Sequence, residues 1–170
     1  MPTRDALIQH GREDLSTSSI IATVDIGWVS AASHAHIVDL AGLTDPEIAR
    51  LAGGHTSKHI PETLLPRRNV DTLVLLRSSQ RPSSSSDGGA TTTRDDGGPF
   101  ERAVEERIAR DPWVQESFEI SSVIRSGTLS YVVLRRRPEG TPARRRKEPP
   151  RAAPTSDTGS QNEAPFIPDP

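Results

Sequence analysis

The chain of 170 residues has no cysteine, a single methionine and only two lysines, Lys58 and Lys147, among its 21 basic residues. Without thiols there can be no disulfide, thiolate nucleophile or cysteine-ligated metal. Aromatic residues make up 4% and hydrophobic residues 32% of the sequence. An ordinary globular chain is roughly 45–50% apolar when glycine is included, so part of this one is not expected to build a core. No run approaches the roughly 18 apolar residues that a membrane helix requires. Residues Met1–Asp14 mix Arg4, Asp5, His10, Arg12, Glu13 and Asp14 with few apolar positions, so they do not read as a secretory signal, and a cytoplasmic location is expected. A net charge of −2 and a pI near 6.2 argue against a dedicated nucleic-acid binder.

Two segments carry the compositional bias. Residues 78–99 read SSQRPSSSSDGGATTTRDDGGP, and residues 138–170 hold eight of the fifteen prolines, with Phe166 and Ile167 as their only large apolar residues. Neither can bury enough surface to offset its ordering entropy, so a disordered insertion and a disordered tail are expected. The remainder, within residues 1–137, is read as one α/β or α+β domain.

Its periodicity predicts a mixed sheet of about five strands with two to three helices. Ile20–Ile26 alternates as a strand, with Gly27 ending it, and Ile37–Leu40 is a second strand beyond Ala31-Ala32-Ser33. Thr44, Asp45, Pro46 and Glu47 form a helix start in which either Thr44 or Asp45 caps, and Gly53-Gly54 ends that helix. A helical turn is expected at Pro61–Leu65, and the apolar run within Asp71–Leu76 is the central strand. A helix from Gly98-Pro99 would place Phe100, Ala103, Val104 and Ile108 on one face, with Arg102/Glu106 and Glu106/Arg110 paired on the other. Asp111-Pro112 stops it. Trp113–Ile124 and Leu129–Leu134 then read as a hairpin about Ser126-Gly127.

The spacing within residues 20–76 carries a resemblance. A strand ends in Asp25-x-Gly27, a second contains Val38-Asp39-Leu40, then come Gly42, Leu43 and Asp45, the short helix with Ile48 and Ala49, and the strand Asp71–Leu75. This pattern resembles the soluble domain that follows the last membrane helix in bacterial polytopic glycosyltransferases of the GT-C type, which use lipid-linked sugars. The resemblance implies an extracytoplasmic accessory domain, on the periplasmic side of a membrane, that contacts glycan or a membrane glycosyltransferase partner. In that family the catalytic carboxylate lies in the membrane half, which has no counterpart here, so no sugar transfer by the isolated chain is implied.

Six residues are candidates for ligand contact. Asp25, Asp39 and Asp45 lie at the ends of elements, where carboxylates either accept from sugar hydroxyls or satisfy caps and turns. Trp28 follows the first strand and offers either a stacking face or a core ring. His55 and Lys58, in Gly53-Gly54-His55-Thr56-Ser57-Lys58, belong to a loop able to receive an anion or simply solvated. His34-x-His36 and His55-x-x-x-His59 are the only pairs with ligand-like spacing, and with no cysteine to complete a set no metal and no cofactor is expected. Residues 135–151 carry eight positive and two negative charges. They read either as an adaptor to anionic surfaces or as a solubilising tail without sequence-specific nucleic-acid contact. A small stand-alone metal-dependent or ligand-binding protein is the remaining alternative.

Overall fold

The computed structural model describes residues 4–78, 99–126 and 129–138. At its centre lies the apolar run after Asp71, as β3 (Thr72–Ser78), whose first five residues are buried. Five strands form one sheet: β1 (Ile20–Thr23), β2 (His36–Asp39), β3, β4 (Phe118–Ser126) and β5 (Leu129–Arg136), in the order β2-β1-β3-β5-β4. β1 pairs in parallel with β2 and with β3, whereas β3–β5 and β5–β4 are antiparallel. The blocks on either side of the serine-glycine segment therefore share a sheet, through the register Thr72↔Arg135 to Ser78↔Leu129. This is the mixed α+β arrangement expected, with more helices than anticipated. The expected insertion and tail lie outside the described residues, except that Ser78 ends β3 and Pro99 and Pro138 are placed.

Helices cover both faces. One is packed by α1 (Arg4–Leu15) and α2 (Ile26–Ala32), which bury Leu15, Trp28 and Val29 against Ile21, Val74, Leu76, Ile124 and Val133. The other carries α3 (Pro46–Ala49), α4 (Leu64–Arg67), α5 (Ala103–Arg110) and α6 (Pro112–Ser117), whose Ile48, Leu64, Leu65, Val104, Ile108 and Val114 meet Ala22, Val38, Leu73 and Leu75. The alternation along β3 sends Leu73 and Leu75 to one core and Val74 and Leu76 to the other.

Several boundaries depart from the sequence expectation. The first strand stops at Thr23, because the Thr23 hydroxyl donates to the Val74 carbonyl (3.0 Å) and accepts the Asp25 N–H (3.1 Å), turning the chain into α2. That helix carries the crossover which makes β1 and β2 parallel. α1 was not anticipated; Gly11 lets it approach closely, since a Cβ there would lie 2.7 Å from the Trp28 ring. Pro99 and Phe100 lie along β3 and not in a helix: Ser78 N–H donates to the Pro99 carbonyl (3.0 Å), and α5 begins only at Ala103. Residues 112–117 are helical because Asp111 accepts the Trp113 and Val114 N–H groups and Pro112 takes the first helical position. In β4 the period-two reading fails at a bulge between Ile120 and Ser122, which moves Ile124 to the face opposite Phe118. Ser126 pairs with Leu129 across residues 127 and 128, which lie outside the described residues.

The crevice at the carboxyl ends of β1 and β3

From β1 the chain crosses to β2 on one side, over α2, and then back past β1 to β3 on the other, over α3 and α4. The winding reverses between β1 and β3, and side chains beyond the carboxyl ends of two such strands face a common crevice. The β1–β3 ladder ends at Thr23↔Val74 while β3 continues to Ser78. Polar groups on the exposed edge of β3 therefore need other partners. Glu105 Oε1 accepts the Leu76 N–H (3.0 Å), and the Glu101 N–H donates to the Leu76 carbonyl (3.1 Å).

Around that break lies a cluster of charged side chains. Arg102 donates through both terminal nitrogens to Asp25, at 2.9 and 3.0 Å, and also to Glu105 Oε1 at 3.2 Å. Asp25 occupies the position before α2 without capping it, which leaves its carboxylate to Arg102. The Asp25 and Arg102 side chains are 23% and 19% exposed, whereas Glu105 is 1% exposed. Among the described residues Glu105 Oε2 is buried with no hydrogen-bond partner. Burial first, and the nearby Asp25 charge second among the effects that raise it, push the Glu105 carboxyl from 4.5 up to about 7, against the lowering pull of the Leu76 N–H and Arg102. Burial is the largest single influence on Arg102 and opposes its positive charge, but the Asp25 hydrogen bond together with the charges of Asp25 and Glu105 prevails and raises the guanidinium. Tyr131, opposite Leu76 in the ladder, has its phenol raised by burial and then by Asp25.

The six candidates separate into two groups. Asp25 and Trp28 stand at the crevice, but Trp28 is 6% exposed and meets Tyr131 edge-on at 4.9 Å, so it packs as a core ring and offers no stacking face to solvent. Asp39, Asp45, His55 and Lys58 gather beyond β2. Asp39 is fully buried, its Oδ1 accepting the Ala41 N–H (2.9 Å) and its Oδ2 the Thr44 N–H and hydroxyl (2.6 and 3.1 Å). Asp45 is the helix cap, accepting from the Glu47 and Ile48 N–H groups, and also pairs with Arg68. Burial works against its charged form, yet Arg68 and the backbone donors prevail and lower it. His55 Nδ1 lies 3.1 Å from the Ala41 carbonyl.

Lys58 is turned inward, donating to the Ala49 and Leu51 carbonyls at 2.9 and 3.0 Å. It closes the end of α3, a location that favours a cation. The Gly54 N–H goes to the Ser57 hydroxyl, so the loop consumes the groups that would receive an anion. Among the described residues no group of three or more His, Asp or Glu side chains could hold a metal ion. No helix among them is long and apolar enough to cross a membrane. Of the basic run, Arg135 donates to the Asp14 carbonyl and Arg137 to the Glu116 carbonyl, so both are fastened to the fold, while residues 139–151 lie outside the described residues.

Arg102, Glu105 and Tyr131 were missed from sequence. Of the two solvent-side pairs expected on α5, Glu106–Arg110 forms, at 2.7 Å, whereas Arg102 goes to Asp25 and Glu105. A signal for Glu105 was present: it follows Val104 and precedes Ile108 by three, within the apolar stripe of α5.

The profile of one family, described as a domain of unknown function (DUF8728), matches residues 6–139, most of the chain. No curated protein and no solved structure matches it.

Proposed function

The chain belongs to that domain family, and from this premise we propose that it is a non-catalytic accessory domain whose β1/β3 crevice contacts a neutral, hydroxyl-rich ligand. The resemblance of residues 20–76 to the soluble domain of GT-C glycosyltransferases supports glycan as that ligand, presented beside a membrane glycosyltransferase partner. One observation carries the reading: Glu105 is buried with one bare carboxyl oxygen beside an ion pair that is only partly covered. A buried polar atom without a partner is rare in a native fold and calls for an explanation, which a bound hydroxyl-rich ligand beside it would supply.

The chemistry of the cluster selects the ligand class. Asp25 and Arg102 cancel one another's charge, which removes the field that would attract a free anion or cation. A proton on Glu105 adds a neutral donor, so acceptors and donors stand together, as a sugar hydroxyl requires. Asp39 and Asp45, by contrast, are saturated by backbone and by Arg68, and serve the scaffold.

The test is a titration of the isotope-labelled full chain with soluble oligosaccharides, followed by amide NMR shifts. Saturable shifts at Asp25, Leu76 and Arg102, abolished in Asp25→Asn, are expected. Shifts confined to other surfaces, or turnover of a sugar donor by the chain alone, would overturn the reading.

A further inference from the structure

We propose that Arg102 is a proton-controlled latch: while Glu105 holds a proton Arg102 closes on Asp25, and when Glu105 ionises Arg102 is drawn onto it and the crevice opens at Asp25. As a regulation of the crevice this rests on the function proposed above, but the movement itself needs no ligand.

The geometry supplies two carboxylates and one guanidinium. Arg102 makes two hydrogen bonds to Asp25 and one, at 3.2 Å, to Glu105 Oε1, so the second carboxylate is already within reach. Glu105 Oε2 has an unused bonding position. The two carboxylates differ sharply in surroundings. Asp25 is 23% exposed, so water can solvate it after the cation leaves, whereas Glu105 at 1% has no such recourse. A buried charge left unpaired is among the most costly arrangements in a fold, so an ionised Glu105 outcompetes Asp25 for their shared cation.

Among the described residues the other groups around Glu105 are engaged elsewhere or uncharged. β3 contributes the Leu76 N–H, already bonded to Oε1, and its Arg77 guanidinium lies over the Phe100 ring at 4.4 Å. β5 contributes Tyr131, whose phenol burial and Asp25 keep protonated throughout the neutral range. The segment after β1 contributes Asp25, and the residue before α5 contributes Arg102 itself. Since the carboxyl of Glu105 is raised to about 7, the latch works across neutral pH, releasing its proton to solvent.

The experiment is carbon and nitrogen side-chain NMR of the full chain from pH 5 to pH 9. The Glu105 carboxyl, the Arg102 Nε–H and the Asp25 carboxyl are expected to shift together in one step near neutrality, and Glu105→Gln removes the step from Arg102 and Asp25. Titration of Glu105 without movement of Arg102, or survival of the Arg102 step in Glu105→Gln, would overturn the latch. Asp25→Asn is a second variant: with no competitor, Arg102 rests on Glu105 at every pH and the Glu105 midpoint falls by about one unit or more. An unchanged midpoint there also refutes the proposal. A coupled step without oligosaccharide shifts at any pH supports the latch and defeats the ligand reading alone; oligosaccharide shifts without a coupled step do the reverse.

Discussion

Asp39 tests whether the aspartate turns are scaffold or ligand site. In Asp39→Ala the Ala41 N–H loses its acceptor in a place where Ala41 is 2% exposed, so no water replaces it, at about 1–3 kcal/mol. Thr44 is exposed and its N–H and hydroxyl can be rehydrated, so losing their bonds to a charged acceptor adds about 1 kcal/mol. The total is about 3 kcal/mol, a large part of the roughly 5–15 kcal/mol that holds a domain together. Asp39→Asn retains an acceptor for Ala41 and should lose less than half as much. Urea unfolding followed by circular dichroism measures this, with the midpoint falling and the slope unchanged. A change below about 0.5 kcal/mol in the alanine variant would refute the argument, because such values belong to surface positions without structural duties.

Two further outcomes follow from the same geometry. Gly42 has φ +71, and a Cβ there would sit 2.7 Å from the Ala49 nitrogen, so Gly42→Ala should destabilise the fold by about 2 kcal/mol or more in the same unfolding assay. Glu105 makes stability depend on pH with an unusual sign. Its folded carboxyl is raised from 4.5 to about 7, so its contribution is complete below pH 4.5 and is lost as pH rises through 7, a swing of about 3 kcal/mol at about 1.4 kcal/mol per unit. Glu105→Gln should gain most of that difference over wild type at pH 8 and little at pH 5, and equal gains at both pH values would contradict the assignment.

What the sequence disclosed was the part governed by local rules. Of the two caps the sequence leaves open at this helix start, Thr44 and Asp45, Asp45 with Pro46 at the first helical position is the one that forms, since short polar residues and a fixed proline φ act over a single turn. The apolar run of β3 identified the central strand because a strand buried on both faces cannot alternate. Two of the misplaced boundaries depended on distant partners, whereas helix 112–117 follows from the local cap at Asp111-Pro112. Thr23 ends β1 by reaching the Val74 carbonyl, 51 residues away, and Phe100 is held along β3 by an isolated bridge to Arg77. The crevice was half legible for the same reason. Asp25 was found from its position at a strand end, but Arg102, which gives that carboxylate its chemistry, comes from 77 residues further along. Asp45 reads from the sequence as either a cap or a ligand contact and Lys58 as part of an anion-receiving or solvated loop; both serve the ends of α3, a distinction that only their hydrogen bonds make.

The position of β3 also dictates the order of events at synthesis. One edge of β3 is paired with β1, already made, over Thr72–Val74, but the other waits for Leu129–Arg136, so Thr72 meets Arg135 only after the intervening serine-glycine segment, α5, α6 and β4 have emerged. Until then a strand whose first five residues are buried in the finished fold presents an open edge, which is the form in which nascent polypeptides pair with one another. A ribosome-bound chain arrested before residue 129 accordingly carries this edge unpaired by β5, and emergence of Leu129–Arg136 closes it.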